Sequence, residues 1–219
     1  AIDGMISSFT FDAAAARRWT AATPTPPRSP TATPTPTPPP NITTSFGPVD
    51  GTIPHDPDDG QIDVWESGVS IANGVIEARL FNPYPGSVGE WSSGFLFRNS
   101  GYNEFHAVII TSDGNWYHYV RKGDLESQEL VQSQSTNEIN RNPIDNNHLR
   151  VIALDQKGWF FINETYVGTL DLSGLSSKGD VVVATGLFTD TTIAGESTRF
   201  EDFTVSPLEI EYGPTDGAL

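Results

Sequence analysis

From Phe46 onward the apolar positions recur in short runs rich in Val, Ile, Phe, Tyr and Thr, separated at close intervals by Gly, Asn, Asp or Pro. Runs this short, with period-two alternation and turn residues between them, predict β-strands. They fall near Ile62–Trp65, Val75–Phe81, Gly94–Arg98, Phe105–Thr111, Asn115–Arg121, Glu129–Gln134, Leu149–Leu154, Trp159–Ile162, Tyr166–Leu170, Val181–Phe188 and Phe200–Val205. About a dozen short strands predict two packed antiparallel sheets rather than one open sheet.

The strongest local signal is Asp113-Gly114, since a two-residue hairpin turn needs positive φ at its central positions. Such a turn sets Ile109 opposite His118 and His106 opposite Arg121. Phe105, Ala107, Ile109, Trp116, His118 and Val120 then share one face, assigned to the core because it carries the bulkier set. His106, Tyr117, Tyr119 and Arg121 share the other with Val108 and Ile110. Two tyrosines flanked by a histidine and an arginine can stack sugar rings or anchor a protein partner, because tyrosine joins a rigid apolar body to a polar tip. The alternative is that the tyrosines pack beneath a neighbouring loop. A second hairpin is expected at Asn163-Glu164.

The N-terminal part reads differently. Thr23–Pro40, TPTPPRSPTATPTPTPPP, is too rich in proline for a helix or a central strand, and predicts an extended polyproline spacer over 23–45 at about 3.1 Å per residue. Alternating Thr and Pro also suits O-glycosylation and a cell-surface stalk. Before it, Ile2, Met5, Ile6 and Phe9 fall at helical spacing in an arm, residues 1–22, too short to fold alone. This arm is a candidate docking or self-assembly element: inserted against the sandwich of a neighbouring copy, it would build a filament, sheath or membrane-bound assembly. The globule is expected over 46–207, with a C-terminal tail over 208–219.

Composition narrows the partners. Acidic residues outnumber basic ones 28 to 12, a formal charge of -16, which disfavours nucleic acid. The lack of cysteine removes disulfides and thiolate chemistry. No apolar run approaches the ~20 residues of a membrane-spanning helix.

The run GFLFRNSGYNEFHAVIITSDGNWYHYVR at Gly94–Arg121, HLRVIALDQKGWFFINETYVGTLD at His148–Asp171 and FEDFTV at Phe200–Val205 resemble concanavalin A-like, or laminin G-like, jelly-roll domains of exported bacterial proteins. The resemblance implies an all-β, two-sheet antiparallel jelly-roll sandwich and an extracellular or cell-surface module that binds a glycan or a surface protein. Asn163-Glu164-Thr165 stands where such domains place Asn-Gly, so a longer turn is expected there. Some relatives hydrolyse glycans with a Glu-x-Asp-x-x-Glu strand. Here Gln61-Ile62-Asp63-Val64-Trp65-Glu66 puts an amide at the nucleophile position, and an amide cannot form a glycosyl-enzyme bond. Asp63 and Glu66 with an unrecognised partner remain the hydrolase alternative, and the leading expectation is no catalysis and no cofactor. Asp56, Asp58 and Asp59 are the candidate calcium ligands, against the alternative of a solvated acidic turn.

Overall fold

In the computed structural model, residues 46–56, 62–101, 104–123, 128–186 and 192–209 are described. The expected docking arm with Ile2, Met5, Ile6 and Phe9, the expected proline spacer, Gln61, the calcium candidates Asp58 and Asp59, and most of the C-terminal tail lie outside these residues.

Twelve strands occupy the described part: β1 (Phe46–Pro54), β2 (Asp63–Ile71), β3 (Gly74–Phe81), β4 (Ser92–Gly101), β5 (Glu104–Thr111), β6 (Asn115–Lys122), β7 (Gln128–Ser135), β8 (Asn146–Leu154), β9 (Lys157–Ile162), β10 (Thr165–Asp171), β11 (Gly179–Thr185) and β12 (Ser197–Pro207). They form two six-stranded antiparallel sheets, in the orders β1-β12-β3-β8-β9-β10 and β2-β11-β4-β5-β6-β7. Each sheet joins strands distant in sequence, which is the wiring of a jelly roll.

Eleven of the twelve strands coincide with short apolar runs legible in the sequence; β1 does not. Its sequence FGPVDGTIP carries two glycines and two prolines, and it tolerates them because it is an edge strand paired only with β12. The core lies between the sheets, where Phe95, Phe97, Val108, Ile110, Trp116, Val181 and Val183 of one meet Ile76, Leu80, Leu149, Val151, Phe160, Phe200 and Phe203 of the other. Phe203 stacks on Phe95 at 6.2 Å, and Trp116 meets Phe160 edge-on at 5.4 Å, so aromatic pairs bridge the layers.

A buried cation ties the loops at one end. Arg98 is 2% exposed with φ 51°, and its guanidinium donates to four backbone carbonyls. Nε reaches Ala72 at 2.9 Å, Nη1 reaches Leu172 and Leu175 at 3.2 and 2.7 Å, and Nη2 reaches Asp155 at 2.6 Å. Three connections, β2–β3, β8–β9 and β10–β11, are thereby pinned to β4. Burial lowers the pKa of this guanidinium, partly offset by the carboxylate of Asp155.

The Asn163-Glu164 turn is a two-residue loop after all: Thr165 pairs directly with Ile162, and both turn residues have positive φ, 49° and 68°. The expected lengthening does not occur: Glu164 takes the left-handed backbone where glycine is usual. Its carboxylate receives His148 Nδ1 at 2.6 Å and Arg150 Nη1 at 3.0 Å. Asn163 donates to the Glu138 carbonyl at 2.7 Å and accepts from the amide of His148 at 2.8 Å.

Candidate functional site

The β5–β6 hairpin decides which side chains face outward. Its turn holds three residues, Ser112, Asp113 and Gly114, not two: Ile110 pairs with Trp116 and Ile109 with Tyr117. Gly114 has φ 90° and its amide donates to the Thr111 carbonyl at 3.0 Å, while Asp113 Oδ1 accepts from the amide of Asn115 at 3.1 Å and from the Thr111 hydroxyl. An aspartate that binds the backbone two residues on favours this longer turn with a glycine in the left-handed region.

One residue of register turns β5 over relative to β6. The face expected from the shorter turn is therefore corrected. Phe105, Ala107 and Ile109 share the outer face with Tyr117, Tyr119 and Arg121, whereas His106, Val108 and Ile110 point inward beside Trp116, His118 and Val120. His106, expected among the ligand contacts, is fully buried and stacks on Phe97 at 5.5 Å. Its Nε2 donates to the Leu175 carbonyl at 3.1 Å, leaving Nδ1 to accept from His118 Nε2, also at 3.1 Å. Burial pushes the pKa of His106 down to about 4, and burial with the neighbouring His106 pushes that of His118 down to about 3. Both rings are neutral structural elements at ordinary pH.

The outer face keeps the other three expected contacts. Tyr117 and Tyr119 lie side by side, with ring centroids 5.8 Å apart and planes 18° from parallel, and both are half-buried. The Arg121 guanidinium sits 5.4 Å over the Phe105 ring. Burial, then the Asp113 carboxylate, raises the Tyr117 phenol pKa; burial, then Tyr117, raises that of Tyr119. Both phenols stay protonated and able to donate at neutral pH.

Beneath and beside them lies an apolar floor that sequence reasoning missed. Leu96, Phe105, Ala107, Ile109, Val182 and Ala184 form a second buried cluster on this face, with Tyr119 and Ile62 packed against it. The registers line these residues up across the sheet. One row runs Glu66, Val182, Leu96, Ala107, Tyr119; the next runs Val64, Ala184, Gly94, Ile109, Tyr117. Gly94 is required where it stands, since a methyl there would lie 2.0 Å from the Val108 carbonyl oxygen. The available signal was β5 itself, EFHAVIIT, in which apolar residues occupy both faces. A strand apolar on both sides belongs to a sheet whose two faces are both packed.

The two carboxylates of the hydrolase alternative do not converge. Trp65 packs toward the core, so Glu66 projects to the exposed side of β2 and Asp63, three residues earlier, takes the opposite face. Asp63 Oδ2 accepts the Asp56 amide at 3.0 Å, and the calcium candidate Asp56 thus meets Asp63 through its backbone. Among the described residues, no three His, Cys, Asp or Glu side chains are grouped to hold a metal. Among them also, no helix is long and apolar enough to cross a membrane.

No family model and no curated protein matches the chain. Solved structures do. A carbohydrate-binding module from Bacillus subtilis aligns with 75% of this chain and 93% of its own at 12% identity and a TM-score of 0.51. Sheep galectin-11, in complex with glycerol, aligns over 62% of this chain and 95% of its own at 16% identity and a TM-score of 0.43. A Bacillus licheniformis β-glucanase aligns over 77% and 83% at 9% identity and a TM-score of 0.48. The domain has the concanavalin A-like jelly-roll fold.

Proposed function

We propose that the sandwich is a non-catalytic binding module of an exported protein and that Tyr117, Tyr119 and Arg121 meet its ligand, a glycan. The observation that carries this reading is the near-parallel tyrosine pair, half-exposed beside a buried apolar cluster that holds it in place, with phenols that remain donors. Rings held in place by packing lose little entropy on binding, and each offers an apolar plane and a hydroxyl to a sugar. The carbohydrate-binding module of Bacillus subtilis, alike in fold, supports the ligand class. The divergence of Asp63 and Glu66 supports the absence of glycoside hydrolysis, because a retaining pair needs its carboxyl groups ~5–5.5 Å apart on either side of one bond. A Pro/Thr spacer ahead of such a domain suits display at a cell surface.

Affinity electrophoresis of the full chain through gels containing soluble polysaccharides tests this. Retardation should occur and should fall in the Tyr117→Ala/Tyr119→Ala variant. Unchanged mobility in every gel, or full retardation of the double variant, would refute the proposed contact face. Reducing-sugar release from a β-glucan that disappears in Glu66→Gln would restore the hydrolase reading.

A further inference from the structure

We propose a second glycan platform on the opposite sheet, built by Trp159, Phe161 and Tyr166 and suited to a neutral polysaccharide chain. Two cross-strand rows make it. In the first, Val75 pairs with Ile152, Ile152 with Trp159 and Trp159 with Thr169; in the second, Glu77 pairs with Arg150, Arg150 with Phe161 and Phe161 with Tyr166. Alternation places Trp159, Phe161 and Thr169 outward, since their neighbours Phe160, Ile162 and Leu170 are fully buried in the core, and a register shift between Tyr166 and Gly168 turns Tyr166 outward as well, with Val167 packed on the core instead.

The aromatic members of these rows are not sealed. Trp159 and Phe161 are half-buried and Tyr166 is 51% exposed. Trp159 differs in this from Trp91 and Trp116, which are buried, and from Trp65, which packs on the core. Positions two apart on a strand stand roughly 7 Å from each other, so Trp159 and Phe161 are adjacent along β9; the Arg150 guanidinium lies over the Phe161 ring, 6.0 Å from its centroid, which leaves Trp159 as the main apolar surface of the pair. Tyr166 meets Phe161 edge-on at 5.6 Å and gives the strip a raised side toward the β10 edge. Apolar area with a few fixed polar groups at its margin is the composition of a sugar-stacking surface. The margin here holds the Tyr166 hydroxyl, bonded to Thr169 at 2.7 Å, and the Arg150 guanidinium.

Charge selects the class of glycan. Arg150 is already engaged by both Glu77 and Glu164, and His148 is bonded to Glu164 as well. An anionic sugar would have to displace these carboxylates while facing a protein of formal charge -16. A neutral chain meets neither obstacle: its ring faces stack on the aromatics and its hydroxyls exchange with water at the margin.

The test uses full-length protein in affinity gels containing a β-1,3-glucan, a mixed-linkage β-glucan, a xylan or a fructan, with polygalacturonate as the anionic comparison. At least one neutral polymer should retard the protein, polygalacturonate should not, and Trp159→Ala/Tyr166→Ala should weaken the retardation about tenfold. Circular dichroism melting checks that the variant folds. If Trp159→Ala does not fold, Tyr166→Ala alone serves, because that side chain is the most exposed of the three. Retardation abolished by Tyr117→Ala/Tyr119→Ala and untouched by Trp159→Ala/Tyr166→Ala would overturn this platform and keep the first face. The converse pattern would keep this platform and overturn the first. Retardation only by polygalacturonate, or by no polymer, would overturn it outright.

Discussion

His106 and His118 face each other inside the sandwich with Nδ1 and Nε2 3.1 Å apart, and the chain of bonds ends on the Leu175 carbonyl. That carbonyl needs a donor, so His106 carries its proton on Nε2, and His118 must in turn carry one on Nε2. His118 Nδ1 is then a buried acceptor with no hydrogen-bond partner. The arrangement admits no further proton without breaking a bond or burying a charge.

Acid should therefore unfold this domain early. From the usual 6.5, the pKa values fall to about 4 for His106 and about 3 for His118 in the fold. Arg98 and Lys122 oppose protonation of His106, His106 opposes that of His118, and Asp171 favours both. Below pH 6.5 the unfolded chain binds protons that the folded chain refuses, so the contribution is complete above 6.5 and is lost as pH falls toward those lower values. The slope approaches about 1.4 kcal/mol per pH unit for each histidine. Urea titrations from pH 7.5 to 4.5 should show this decline, and His118→Phe should reduce its slope while leaving the shares of His106 and of buried His55. A wild-type stability independent of pH across that range would contradict the neutral pair.

Replacing Arg98 should loosen one whole end of the sandwich. Arg98→Met leaves four backbone carbonyls without their donor and frees three connections, for a loss of at least about 3 kcal/mol. Arg98→Lys recovers only part, because an ammonium cannot span the four directions of the guanidinium fork. Chemical denaturation midpoints decide the matter: a lysine variant equal to wild type would mean that charge, not geometry, is what the site uses.

The outer face of the second sheet has no room at its centre. Gly94→Ala should cost about 3 kcal/mol, since the added methyl would meet the Val108 carbonyl at 2.0 Å and push β4 from β5. Thermal melting of the variant reads this directly, and an unshifted midpoint would show that the two strands part easily.

Glu164→Gly should raise the thermal midpoint. The substitution relieves a non-glycine residue at φ 68° and gives up bonds to His148 and Arg150 that an exposed carboxylate makes. Exposed pairs contribute little, whereas the left-handed region favours glycine directly. A lowered midpoint would assign the Glu164 bonds a larger part in closing the β9–β10 hairpin.

Much of this architecture follows from local residue patterns. Alternation in Val75–Phe81, Leu149–Leu154 and Phe200–Val205 places one side of each strand in the core, because a period-two pattern with one apolar side has only one register that buries it. Asp113-Gly114 and Asn163-Glu164 mark two of the hairpins, and Tyr117, Tyr119 and Arg121 lie on an outer face, as expected. Strand β5 defeats the same logic. Phe105, Ala107 and Ile109 on one side and Val108 and Ile110 on the other are all apolar, so hydrophobicity alone does not orient the strand. The carboxylate of Asp113 decides it, by capturing the amide of Asn115 and adding a third residue to the turn. Without that bond His106 falls on the ligand-facing side, and with it His106 is buried. The chain by itself determined that strands would form, roughly where, and that they would close into two layers. Which face each two-sided strand presents, and which residues from separate strands align into a binding row, was decided only by turn geometry and inter-strand register in the folded domain.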